Sequence, residues 1–230
     1  MARATGGKLE LVFTTPLRTV WKDILQRLAA QANKAFSKAA YSAIREMRGP
    51  IGAAIIRSPE VASLQGGRLA GELGLPKPLQ RFAPKVIVAA VVNSIGARTI
   101  KVRQAGANLV GGLTVTVQPA DFRNLLGLPI SPIKYQSKKQ KKMVSLDWLD
   151  WLLYRGDKII VQNYRVEAGP FGRSGLAKMK GKQGSMWRVD PAYSGTVDDN
   201  FVTRALDDPL ARHDILVVLD RVINQYWAGS

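Results

Sequence analysis

Apolar residues Trp21, Leu25, Leu28, Ala32, Phe36, Ala39, Ala43 and Met47 recur at steps of three and four, with Arg18, Lys22, Lys34, Lys38 and Arg45 mostly between them. This period predicts a helix over 16–48 that packs on one face and is basic on the other. A short strand over 8–14 precedes it, and Thr15-Pro16 supplies an N-cap and first-turn proline. Gly49-Pro50 predicts its end, because proline lacks the N–H that continues the ladder and glycine suits a left-handed cap. After the apolar segment 51–56, Ser58-Pro59-Glu60 opens a second, short helix through Leu64. At the other end Asp208 as N-cap and Pro209 at N1 open a helix to Tyr226, with Ile215, Leu216, Leu219, Val222, Ile223 and Tyr226 on one side.

The middle of the chain reads differently. Gly66 to Leu75 is glycine-rich and predicts an irregular connection whose Leu69, Leu73 and Leu75 enter the core. Leu79 to Ile95 is compatible with a helix or a buried strand, since β-branched residues fill Val86 to Val92 while the spacing does not decide. Thr99 to Arg103 and Gly112 to Gln118 alternate and predict an antiparallel pair joined by a longish loop. Ile130 to Val144 has no apolar period and predicts an extended loop. Leu146 to Tyr154 concentrates Trp148, Trp151 and Tyr154 among leucines, aromatic mass that belongs in a core or an interface. Arg155-Gly156-Asp157 predicts a turn into a strand over 158–166. Ala168 to Gly184 predicts a hairpin with a basic tip that returns through Met186-Trp187-Arg188-Val189.

Together these elements predict an α+β fold. A long N-terminal helix and a C-terminal helix pack on a mainly antiparallel β-sheet, with extended basic loops. One domain over 1–230 is expected: a helical N-terminal region over 1–65, a β-rich body 66–206 with the basic loop 130–144 and the hairpin 168–189, and the C-terminal helix in 207–230. At 230 residues such a domain buries roughly 70% of its unfolded surface.

Composition adds two constraints. With 46% hydrophobic and 22% charged residues the chain is too apolar to be disordered, and with no cysteine it has neither disulfides nor thiolate chemistry. The start of the chain, Met1 to Gly7, lacks an apolar signal region, and the longest apolar run, Val86 to Val92, is too short to span a bilayer, so a soluble product assembled in the cytoplasm is expected.

Charge changes the picture more. The formal net charge is +17, a nucleic-acid signature. It is segregated: residues 1–189 hold 31 Lys and Arg against 10 Asp and Glu, whereas residues 190–230 hold 3 against 7. A subunit whose basic surface meets an acidic neighbour accounts for that as well as a DNA binder does. The basic contact candidates, for DNA or a neighbouring subunit, are Lys138, Lys139, Lys141 and Lys142 of the loop and Arg173, Lys178, Lys180 and Lys182 of the hairpin.

Candidate chemistry is sparse. His213 beside Asp214 lacks the further convergent groups of a dyad or metal site. Asp147, Asp150 and Asp157, the pair Asp198 and Asp199, and the pair Asp207 and Asp208 suit capping and turns. The glycine run lacks the Lys and Ser/Thr of a phosphate loop, and Gly172-Arg173-Ser174-Gly175 lacks the spacing of a nucleophile elbow. Asp157 next to Lys158 is the one enzymatic alternative, a nuclease of the carboxylate-plus-lysine type. No catalytic residue, metal or cofactor is expected.

The run Leu146-Asp-Trp-Leu-Asp-Trp-Leu-Leu-Tyr-Arg-Gly-Asp-Lys-Ile-Ile-Val is followed by Gly169-Pro170, Arg173-Ser-Gly-Leu-Ala, Trp187-Arg-Val-Asp-Pro191 and Gly195-Thr-Val-Asp-Asp-Asn-Phe-Val-Thr-Arg-Ala205. Upstream stand Gly71-Glu-Leu-Gly-Leu-Pro76, Gly111-Gly-Leu113 and Asp121-Phe122. As a set, over roughly 60–206, they resemble the neck, tail-completion or head–tail connector proteins of contractile-tailed bacteriophages. The resemblance implies a non-enzymatic virion subunit in a homo-oligomeric ring of six or twelve around the DNA channel. Its partners would be itself, neighbouring neck and portal-adaptor proteins and tail tube or sheath proteins, with transient contact to genomic DNA and none to membrane. Trp148, Trp151, Tyr154 and Trp187 are its interface or anchor candidates. The lysine-dense 138–142 is a departure from that family pattern. A sequence-independent DNA-binding protein is the alternative.

Overall fold

A computed structural model describes residues 2–5, 8–11, 16–117, 121–136 and 143–228. In chain order the elements are β1 (Ala2–Thr5), β2 (Lys8–Leu11), α1 (Leu17–Arg57), α2 (Pro59–Leu64), α3 (Arg68–Glu72), α4 (Lys77–Asn93), β3 (Gly96–Ala105) and β4 (Asn108–Thr116). Then follow α5 (Arg123–Leu126), β5 (Pro132–Gln136), β6 (Met143–Asp147), α6 (Leu149–Leu153), β7 (Val161–Ala168), β8 (Ala177–Trp187), α7 (Phe201–Asp207) and α8 (Pro209–Ala228). The fold is α+β, with the long N-terminal helix and the C-terminal helix both present. Among the described residues the strands form four two-stranded sheets, β1-β2, β3-β4, β5-β6 and β7-β8, each joining neighbours in sequence.

The chain divides into two compact units: Met1–Arg45 with Ala97–Val115 and Leu219–Ser230, and Glu46–Gly96 with Thr116–Val218. In the smaller unit Leu25, Ala32, Ala39 and Ala43 of the expected packing face of α1 are buried, together with Ala29 and Ala35, which lie outside that expectation, whereas Trp21 and Leu28 are exposed. Ala29, Ala32 and Val102 of β3 form a small core flanked by Phe36, Leu109 and Trp227. The Asn33 side chain clasps β3, donating to the Val102 carbonyl at 2.9 Å and accepting from its N–H at 2.7 Å. The loop expected between β3 and β4 is only Gly106 and Ala107, with Gly106 at φ 64°, a conformation glycine adopts without penalty.

The larger unit holds the main core, where Trp148, Phe201, Ile51, Ile55, Leu69 and Leu152 are among the fully buried side chains. Several boundaries differ from expectation. α1 does not stop at Gly49-Pro50 but runs to Arg57 with Pro50 inside it. Proline forfeits one rung there, but Met47, Ile51, Ala54 and Ile55 are all buried, and their burial outweighs the lost bond. The missing β-carbon of Gly52 makes room for Val88 and Val92 of α4. The ambiguous segment is that helix: Ala83, Pro84, Ile87 and Val91 are buried at helical spacing despite the β-branched run.

The expected loop 130–144 contains β5 and the start of β6, which pair antiparallel with Ile133 buried opposite Leu146. The expected strand 158–166 and hairpin 168–189 are one antiparallel hairpin, β7 with β8. Its turn is 169–176, so Lys178, Lys180 and Lys182 stand on a strand and not at a tip.

Other local readings hold. Ser58 caps α2, accepting from the Val61 N–H at 3.3 Å. Asp208 caps α8, accepting from Leu210 and Ala211 N–H at 3.1 Å. Leu69, Leu73 and Leu75 are buried as expected, but the connection that carries them is not irregular throughout, since Arg68–Glu72 winds into α3 and so buries Leu69 and Ala70 together. The expected cap at Thr15, and residues 12–14 of the first expected strand, lie outside the described residues.

Candidate functional site

The aromatic run builds the centre of the larger unit. Trp148 is fully buried and donates its indole N–H to the Ile130 carbonyl at 2.8 Å. Trp151 and Trp187 are 9% and 7% exposed, whereas Tyr154 is 40% exposed. Of the four expected anchors, only Tyr154 offers appreciable surface to a neighbour, and truncating the tryptophans would strike the core. The Arg155 guanidinium stacks over the Trp151 ring at 4.8 Å and pairs with Asp150 at 3.0 Å, while Asp157 pairs with Arg188 at 2.6 Å. Gly156 between them has φ 65°, so this tripeptide is the expected turn with its charges engaged internally.

The basic candidates separate into kinds. Arg173 is a clasp: it donates to the Gly74 carbonyl and to the Lys134 carbonyl, both at 2.9 Å, tying the β7–β8 turn to two other segments. On the hairpin, Glu167 receives Arg165 at 2.8 Å, Lys180 at 3.3 Å and Lys178 at 3.9 Å, and Lys178 also sits 4.3 Å from the centre of the Phe171 ring. Hydrogen bonds from Arg165 and then Lys180 hold the Glu167 carboxyl below the usual carboxylate range. Lys182 is exposed on the same strand. Lys138, Lys139, Lys141 and Lys142 lie outside the described residues.

One polar centre had no sequence signal. Glu60, 2% exposed, accepts from Arg204 at 2.6 and 3.0 Å, and Arg204 also reaches Asp199 at 2.8 Å and the Ser194 carbonyl at 3.2 Å. The two partners are 144 positions apart, so no motif spacing could announce them. A cavity of about 350 Å³ beside this pair is lined by Arg57, Ser58, Ala192, Arg204 and Asp208 among others. The other Glu60 oxygen is sealed from solvent without a partner. The pair fastens α2 to α7.

Among the described residues no cluster of three or more His, Cys, Asp or Glu could hold a metal ion. His213 is exposed on the first turn of α8. No helix among them is long and apolar enough to cross a membrane.

What the two units do expose is large apolar side chains. In the smaller unit Trp21, Ile24 and Leu28 are 53%, 43% and 37% exposed along one side of α1. In the larger, Leu210, Leu216 and Val217 are 67%, 61% and 52% exposed on α8, and Tyr164, Met179 and Met186 stand out from the β7–β8 hairpin. Trp21, Leu28 and Leu216 belong to the faces expected to pack, and among the described residues Trp21 and Leu216 stay more than half exposed. Charge is also uneven, with 12 Lys and Arg against 3 Asp and Glu in the smaller unit and 22 against 14 in the larger. Comparison with protein families, with curated proteins and with solved structures finds no match for this chain.

Proposed function

We propose that this protein is a non-enzymatic structural subunit of a tailed-phage virion, one member of a homo-oligomeric ring in the neck that joins head to tail around the DNA channel. The observation that carries the assembly is the uncovered apolar surface. Side chains as large as Trp21, Leu210 and Leu216 stay exposed on helices whose other faces are packed, as expected of surfaces completed by another chain. Four two-stranded sheets also leave strand edges able to pair with further strands. The phage setting rests on the resemblance of the 60–206 motif set, and the charge segregation suits contacts in which unlike surfaces meet.

Native mass spectrometry of the purified chain tests this. Closed species of six or twelve copies are expected, and Leu216→Lys with Val217→Lys should shift them to monomer. A monomer at high concentration, with no ring in particles that contain the protein, overturns the reading. A second reading, a sequence-independent DNA-binding protein, is favoured by one observation: the smaller unit carries about half as many residues as the larger but a net charge of similar size.

A further inference from the structure

α1 carries a row that neither its packing nor its capping explains. Arg27, Lys34, Lys38 and Arg45 follow one another at steps of seven, four and seven, and all are exposed. At about 100° per residue these positions fall within a narrow sector of the helix, on the side opposite the buried Ala32, Ala39 and Ala43. Tyr41, 76% exposed, stands in the same sector one turn from Lys38 and from Arg45. The stretch 27–45 contains no Asp or Glu; the nearest acid in line is Asp23, one turn before the row begins. Among the described residues no carboxylate pairs with Arg27, Lys34 or Lys38, whereas Arg45 makes an interaction within the chain.

We propose that this face of α1 is a contact surface for the phosphate backbone of double-stranded DNA. The row is about 27 Å long at 1.5 Å per residue, less than one ~34 Å turn of a duplex, and its long Arg and Lys side chains can reach phosphates of both backbones where these cross the row. The composition of the row argues for phosphate over an acidic protein. A protein contact of this length needs large apolar side chains at its centre and is poor in lysine, whereas the row holds no aliphatic side chain larger than alanine. Tyr41 adds a hydroxyl that can donate to a phosphate oxygen, and none of these side chains meets a base edge in a way that selects sequence. The +9 balance of the smaller unit, from 12 basic and 3 acidic residues, supplies the surrounding field. The surface stands on the pattern of α1 alone and does not depend on ring formation.

The test uses the full chain and a short random-sequence duplex, with the binding constant followed from about 0.05 to 0.3 M KCl. Replacing Arg27, Lys34, Lys38 and Arg45 together by Gln keeps helix propensity nearly unchanged. That variant should reduce the salt slope by about 3–4, near 0.9 per lost phosphate contact, and weaken binding more than a hundredfold at the low-salt end. A comparison variant losing four charges elsewhere, K77Q/R81Q/K85Q/R212Q, should keep the slope within about 1 of the wild type, and K34R/K38R should keep it entirely. The proposal is overturned if the wild type does not bind the duplex, or if both four-charge variants lose slope alike. It is equally overturned if the row variant binds normally but fails to assemble, which would give the face to an acidic subunit. Ring mass measured on the same samples reports on assembly separately, so a monomeric wild type with an intact slope difference sinks the ring and keeps the surface.

Discussion

Asn200 shows how one side chain can hold a junction. It is fully buried, accepts from the N–H groups of Val202 and Thr203 at 3.1 and 3.3 Å, and donates to the carbonyls of Thr196 and Val197 at 3.0 and 3.1 Å. Asn200→Asp keeps the cap but turns both donors into acceptors facing carbonyls. It should cost about 1–3 kcal/mol in urea unfolding, more than an exposed cap loses. Glu167 makes a different prediction. Its folded carboxyl is held below the usual range, so its pairs contribute above the ordinary carboxylate pKa and fade as pH falls through the depressed folded value. A carboxyl NMR titration should find its midpoint below that of glutamate in a model peptide, and Arg165→Gln should raise it. Ser58 and Asp208 were legible in the sequence because a cap is a local pattern of three residues. Asn200 appeared there only within a motif run, because two of its bonds go to a loop whose path the sequence does not reveal.

At the scale of elements, α1 is the instructive case. The apolar period locates it, yet Gly49-Pro50 does not end it, because local rules carry no term for what the next two turns bury. Pro50 sits in that helix at the cost of a rung, held by Ile51 and Ile55, which are fully buried. Pro50→Ala should therefore stabilise the chain, by about 1–2 kcal/mol after the loss of proline's restriction of the unfolded state, read as a higher urea midpoint at unchanged m-value. α4 is ambiguous in sequence for the opposite reason: β-branched residues lower helix propensity by tenths of a kcal/mol each, and packing of Ile87 and Val91 decides the matter. For the β7–β8 hairpin, the pairing is legible but its register is not, since Asn163, at φ 60°, opposes several residues of β8 in an irregular bulge. Of the surface candidates, the basic face of α1 is legible from its period, whereas Arg173 becomes a clasp only when its distant carbonyl partners are in place.

At the scale of the whole molecule, the smaller unit is gathered from three stretches separated by most of the chain. Trp227 packs beside Ala29, Ala32 and Val102, and the Tyr226 hydroxyl meets the Ser42 hydroxyl at 2.7 Å. Trp227→Ala should cost about 3 kcal/mol. Its effect should be local, with amide exchange accelerating in 17–45 and 97–115 well beyond any change in the fully buried segments around Trp148 and Leu152. Such long-range closure is invisible to periodicity, which reports only on neighbours within a turn or two. It also sets an order of events on the ribosome. Synthesis is vectorial, and all of the larger unit, through Val218, is made before Tyr226 and Trp227 leave the exit tunnel. The nascent chain therefore holds α1, with its row of cations, in an unfinished unit until Tyr226 and Trp227 have emerged, and this strongly basic region acquires its shape only after the larger unit has been made.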